Sequence, residues 1–138
     1  MNVIGCRRIV EGYTEGKYLL AKKSINFLSM VDKNSGKIGD SNHELYGKSL
    51  KNNILIFPNS VGSSVGAYII YALKINNVHP NAIICTNKSD IITASGCAIS
   101  DIPLVDMPSK DLYRILNKKL PVSIIVDANK EEITIQTI

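Results

Sequence analysis

From Asn53 onward the chain alternates short unbroken apolar runs with longer segments of mixed character. Ile54-Leu55-Ile56-Phe57 places four apolar residues in a row and stops at Pro58, the pattern of a strand covered on both faces. Val65 to Ile75 is apolar nearly all round with Lys74 as its charge, which predicts a helix buried on most faces. Asn76-Asn77-Val78-His79-Pro80 ends it by turn chemistry and proline. A second unit repeats the scheme, with Ala82 to Cys85 as a strand and Asp90 to Ile99 as a helix capped by Ser89 or Asp90. Pro103 to Asp106 is another short buried run, and Ser109 is placed to cap a third helix, Lys110 to Asn117, with Asp111 in its first turn. Val122 to Asp127 and Glu131 to Thr137 read as strands joined at Ala128-Asn129, the second alternating as an exposed edge.

The first third has a β pattern. Cys6 to Val10, Lys17 to Ala21 and Ser24 to Val31 predict three short strands, the first two separated by a turn over Glu11 to Gly16. Asp32 to Lys37 is a turn cluster, and Ile38 to Ser49 is a long polar loop carrying His43, the kind of loop that is functional or mobile. No linker, repeat or low-complexity break separates the β-rich part from the β/α units, so residues 1–138 are read as one mixed α/β domain.

Composition narrows the class. At 138 residues, 45% apolar and 20% charged, the chain is long enough to build a core without disulfides, and no run reaches membrane-spanning length. The N-terminus lacks a signal pattern, so a cytoplasmic location is expected. The net charge of +4 comes from scattered pairs (Arg7-Arg8, Lys22-Lys23, Lys118-Lys119) without interleaved stacking aromatics, which argues against nucleic acid as a partner. Cys6, Cys85 and Cys97 are too far apart for a CxxC metal site or a cluster-binding run, and each is read as a small buried apolar residue.

The candidate chemistry lies in Pro58-Asn59-Ser60-Val61-Gly62-Ser63-Ser64-Val65-Gly66, a tight loop between a strand and a helix. Helix-start amides and the helix dipole favour an anion there, while Gly62 permits close backbone approach and Gly66 tight packing of the helix on the strand. The loop is neither a GxxxxGK[ST] nucleotide loop nor a GxGxxG fingerprint. Ser63 and Ser64 are both favourable caps; one can cap while the other reacts, but neither has a base nearby in sequence. His79, at a helix exit, is read as a surface residue, and His43 as a solvated loop histidine within reach of a site. Caps and turns account for Asp90, Asp101 and Asp106.

Several segments, in order and spacing, carry a specific resemblance: Arg8-Ile9-Val10-Glu11-Gly12, Ile25-Asn26-Phe27-Leu28, His43-Glu44-Leu45-Tyr46-Gly47, Phe57-Pro58 through Gly62-Ser63-Ser64-Val65-Gly66 with Tyr68, Gly96-Cys97-Ala98-Ile99, and Ile102 to Asp106. Over nearly its whole length the chain resembles the swivelling small subunit of the aconitase X dehydratases. The resemblance implies a swivelling β/β/α domain and membership of an archaeal-type hydro-lyase. That enzyme dehydrates (R)-5-phosphomevalonate to trans-anhydromevalonate 5-phosphate in a modified mevalonate route to isoprenoids. It further implies a large partner subunit holding a [4Fe-4S] cluster, which acts as a Lewis acid on the leaving hydroxyl, and no cofactor or metal bound by this chain. By the same resemblance Ser63 is the proton acceptor, with Gly62 and Ser64 binding substrate. The nearest alternatives are a subunit of a hydroxyproline dehydratase and a non-catalytic anion-binding, phosphocarrier or docking domain. The chain departs from the family at Ser60-Val61, where Gly followed by Lys or Arg is usual, and at Ser29-Met30, where Gly-Gly is usual.

Overall fold

The structure is a computed structural model that describes residues 2–117 and 121–138, so the Lys118-Lys119 pair lies outside the described residues. Among the described residues two sheets and four helices form three layers. The central layer is a five-stranded sheet in the order β2(Arg7–Val10), β7(Leu104–Asp106), β6(Ala82–Cys85), β5(Ile54–Phe57), β4(Tyr18–Leu20). Strands β4 to β7 run parallel, and β2 closes one edge antiparallel to β7.

Strict two-residue periodicity splits the central strands between two cores. Leu55, Phe57, Ile83 and Leu104 face a helical layer of α1(Phe27–Met30), α2(Val65–Ile75) and α3(Ile91–Ser100), where Ile70, Leu73 and Cys97 are fully buried. Ile54, Ile56, Ile84 and Val105 face a second sheet in the order β1(Asn2–Gly5), β9(Glu132–Thr137), β8(Val122–Asp127), β3(Tyr13–Gly16), with α4(Leu112–Leu116) beside it. Both faces of β5 and β6 are therefore covered, which is why these strands are continuous apolar runs. The mixed α/β fold class expected from the sequence is the one observed.

Several expectations change. Ser24 to Val31 is not a strand: the Asn26 side chain accepts the Ser29 N–H at 3.2 Å and caps the short helix α1. Phe27, buried on that helix, meets Phe57 edge-on with ring centres 6.1 Å apart. Glu11 to Gly16 is not only a turn, because Tyr13 to Gly16 pairs with Ile124 to Asp127 as β3. The last strand is not an edge, since β9 lies between β1 and β8. Asp111, not Ser109, caps α4, accepting from Tyr113 and Arg114, while the Ser109 hydroxyl accepts the Gly5 N–H at 3.1 Å.

Helix α2 is also not buried on most faces. Gly66, Ile70 and Leu73, at i, i+4 and i+7, form its buried stripe, whereas Tyr68, Tyr71 and Ile75 point outward at 69%, 41% and 60% exposure. The Ile38 to Ser49 loop is tied down by bridges from Val31 to Ile38 and from Lys37 to Ser49, and it buries Ile38, His43 and Leu45.

Candidate active-site loop

The C-terminal ends of the parallel strands lie side by side, Phe57 opposite Cys85 and Cys85 opposite Asp106. In open parallel sheets this edge is where loops converge on ligands. The loop after β5 and the loop after β6 are joined there, with the Thr86 N–H donating to the Phe57 carbonyl at 2.8 Å and the Asn87 N–H to the Pro58 carbonyl at 3.3 Å.

The root of the serine loop is held from several sides. The Val61 N–H donates to the Ile25 carbonyl at 3.0 Å, the Ser24 hydroxyl to Asn59 Oδ1 at 2.7 Å, and the Ser60 N–H to Asp90 Oδ1 at 2.8 Å. Ser60 is buried, but everything from Val61 to Val65 is exposed. The chain turns outward at Gly62, whose φ of +99° is unfavourable for other L-residues. A Cβ there would also lie 2.5 Å from Asn26 Nδ2. Gly66 is needed for packing, though not against a strand: its missing Cβ would sit 3.0 Å from Ile92 Cγ2 and 3.6 Å from Phe27 Cβ, so the close approach is to α3 and α1.

The two serines separate. Ser64 stands at the N-cap position of α2 without a side-chain capping bond, while Ser63 Oγ accepts the Val65 N–H at 3.1 Å. The N–H groups of Gly62, Ser63 and Ser64 have no hydrogen-bond partner among the described residues. An exposed hydroxyl backed by one amide and followed by the start of an eleven-residue helix is an arrangement that receives negative charge.

The structure changes the reading of both histidines and of Asp106, while Asp90 and Asp101 cap α3 as expected. His43 is buried, with Nδ1 accepting the Leu45 N–H at 3.0 Å inside its own loop and Nε2 3.3 Å from the Lys23 carbonyl, so the ring ties that loop to the segment before α1. His79 is half-buried rather than on the surface; burial and the neighbouring Lys74 lower its pKa. Asp101 is the left-handed C-cap of α3. Asp106 exceeds its expected turn role. Fully buried, it accepts from Arg7 Nε at 2.8 Å, from Arg7 Nη2 at 2.7 Å and from the Ser89 N–H at 2.6 Å. Burial raises the pKa of this carboxyl, but the Arg7 and Ser89 bonds outweigh it and hold the group below its ordinary value. That Arg7 faces Asp106 follows from strand register, to which no local sequence signal points.

Cys85 and Cys97 are buried, and burial pushes both thiols well up; Cys6, half-buried near Glu131, is pushed up to about 12. Among the described residues no group of three or more His, Cys, Asp or Glu could hold a metal ion, and no helix is long and apolar enough to cross a membrane.

Residues 3–135 match the family described as the aconitase X swivel domain. The phosphomevalonate dehydratase small subunit of Methanococcoides burtonii is 46% identical over 112 residues, spanning 81% of each chain. That of Methanothermobacter thermautotrophicus is 37% identical over 127 residues, spanning 92% of this chain and 96% of the relative. Among solved structures, the holo-form of Thermococcus kodakaraensis aconitase X superposes with a TM-score of 0.88 at 38% identity, over 98% of both chains. Sequence and fold thus agree, and the chain belongs to the aconitase X swivel domain family.

Proposed function

We propose that this chain is the small subunit of a phosphomevalonate dehydratase, a hydro-lyase, and that Ser63 is the base of an active site it shares with a larger subunit. The observation that carries the reading is the exposed Ser63 hydroxyl, which accepts the Val65 N–H at 3.1 Å at the start of α2, beyond the C-terminal edge of a parallel sheet. Relatives named as the small subunit of this enzyme cover most of the chain, which supports the substrate and reaction.

The chemistry follows from the loop. A serine hydroxyl is a weak base until negative charge on its oxygen is stabilised. Here the Val65 amide already donates to that oxygen, and the unpaired amides of Gly62 and Ser64 would bind an anionic part of (R)-5-phosphomevalonate. Ser63, as the alkoxide, takes the proton from the carbon beside the carboxylate and becomes the hydroxyl; the C–H electron pair forms the new double bond, and the neighbouring hydroxyl leaves with the C–O pair as hydroxide, which takes a proton from solvent to give water. An iron–sulfur cluster, when bound to the large subunit, would supply Lewis acidity to that hydroxyl.

The exposed row Val65, Tyr68, Tyr71 and Ile75 runs from the serine loop along α2, at i, i+3, i+6 and i+10. Its continuity with the incomplete site supports the large subunit as what covers it. The test is Ser63→Ala in the complex reconstituted with the large subunit. Removing a general base should lower kcat by about a hundred- to ten-thousand-fold with assembly intact. Turnover close to wild type would remove Ser63 from the chemistry and leave the chain a docking subunit.

A further inference from the structure

Asp90 holds more than its own helix. Its Oδ2 accepts the Thr93 N–H at 2.9 Å, the ordinary N-cap bond of α3. Its Oδ1 accepts two further bonds, from the Ser60 N–H at 2.8 Å and from the Thr93 hydroxyl at 2.9 Å. The Thr93 hydroxyl is in turn 2.5 Å from Ser60 Oγ, with Thr93 at 0% and Ser60 at 5% exposure. Capping needs one oxygen; the other is committed to a residue thirty positions away in sequence.

Ser60 is the last buried residue before the chain turns out through Gly62 to Ser63. Its side chain is screened from solvent, where charge-assisted bonds retain their strength. We infer that Asp90 is a positioning residue for Ser63: with Thr93, its carboxylate fixes the root of the serine loop to the N-terminus of α3 and so sets where the Ser63 hydroxyl stands. This rests on Ser63 being the base. Displacing a reacting group by about 1 Å costs on the order of a hundred-fold in rate.

Asp90→Asn separates the two jobs, because asparagine is as good an N-cap as aspartate. Its amide oxygen can keep the Thr93 N–H bond, but its NH2 then opposes the Ser60 N–H, donor against donor. In the reconstituted two-subunit complex with (R)-5-phosphomevalonate, Asp90→Asn should lower kcat about a hundred-fold while KM stays within about threefold. Thr93→Val, which removes the shared hydroxyl at nearly constant shape, should also lower kcat, and Thr93→Ser should restore it; a purely structural role would not give that kcat-only loss with hydroxyl rescue. If Asp90→Asn prevents assembly, the Thr93 pair decides: a Val-specific kcat loss supports the inference, and equal behaviour of Val and Ser overturns it. Asp90→Asn turnover within about threefold of wild type, beside a Ser63→Ala variant that has lost turnover, overturns the positioning role and leaves the base in place. Should Ser63→Ala keep its turnover, the base assignment fails first and the positioning role with it.

Discussion

Replacing Gly62 with alanine tests how the serine loop is held, and Gly47 supplies its control. Both glycines are exposed and have positive φ, +80° at Gly47 and +99° at Gly62. A left-handed backbone costs an L-residue about 1 to 2 kcal/mol, so each alanine variant pays that much. The surroundings differ. Nothing lies within 4 Å of a Cβ at Gly47, whereas one at Gly62 would fall 2.5 Å from Asn26 Nδ2, 2.8 Å from Cγ and 2.9 Å from Oδ1.

The whole Asn26 amide must then move, and its Oδ1 is already 3.2 Å from the Ser29 N–H it caps. Losing that cap adds about 1 kcal/mol, bringing Gly62→Ala to about 2 to 3 kcal/mol against about 1 to 2 for Gly47→Ala. For a chain of this size that extra 1 kcal/mol lowers Tm by roughly 4 °C. Urea and thermal unfolding of the two variants, of Asn26→Ala and of Gly62→Ala/Asn26→Ala complete the comparison. Because the cap is already lost in Gly62→Ala, the double variant should cost about 1 kcal/mol less than the sum of the singles. Equal losses at Gly47 and Gly62 together with strict additivity would refute the contact as the reason glycine stands beside Ser63.

Asp106 has a depressed folded-state pKa, so its contribution to stability is present above its unfolded value of 3.8 and is lost as pH falls through the folded value. Asp106→Asn should therefore be less stable than wild type near pH 7, with the gap in urea midpoint shrinking below about pH 3.8; a gap constant with pH would contradict the Arg7 pairing. Because all three thiols are pushed up, Cys6 to about 12, native protein at neutral pH should react slowly with iodoacetamide and denatured protein quickly. Rapid labelling of the native chain would show that those environments are wrong. Tyr68→Arg and Ile75→Arg, on the exposed face of α2, should leave the circular dichroism of the chain unchanged but raise Kd for the large subunit by about 30-fold; unchanged binding would place the partner elsewhere.

The sequence by itself determined the elements whose signals are local. Ile54 to Phe57 and Ala82 to Cys85 are continuous apolar runs bounded by breakers, and the structure places strands over those residues. The helix Val65 to Ile75 has the bounds its pattern predicts, since Pro58 with the Gly/Ser loop and Asn76-Asn77 mark its ends. The serine loop was legible as an anion-receiving helix start for the same reason; the role of Ser63 came from resemblance, and spacing alone left capping open.

Only the tertiary structure decided the rest. Tyr13 to Gly16, with a glutamate and a glycine among four residues, becomes a strand because β8 offers it a partner, and Ser24 to Val31 loses its strand pattern to an Asn26 cap and the burial of Phe27. The exposed apolar face of α2 could not be read from hydrophobicity, which is non-directional and does not say which neighbour covers a side chain. Nor could the bonds of Arg7 to Asp106, 99 residues apart, or of Ser60 to Asp90, 30 apart. Those depend on strand register and on where the start of α3 meets the loop after β5, and both are fixed by the simultaneous burial of distant segments rather than by any window of sequence.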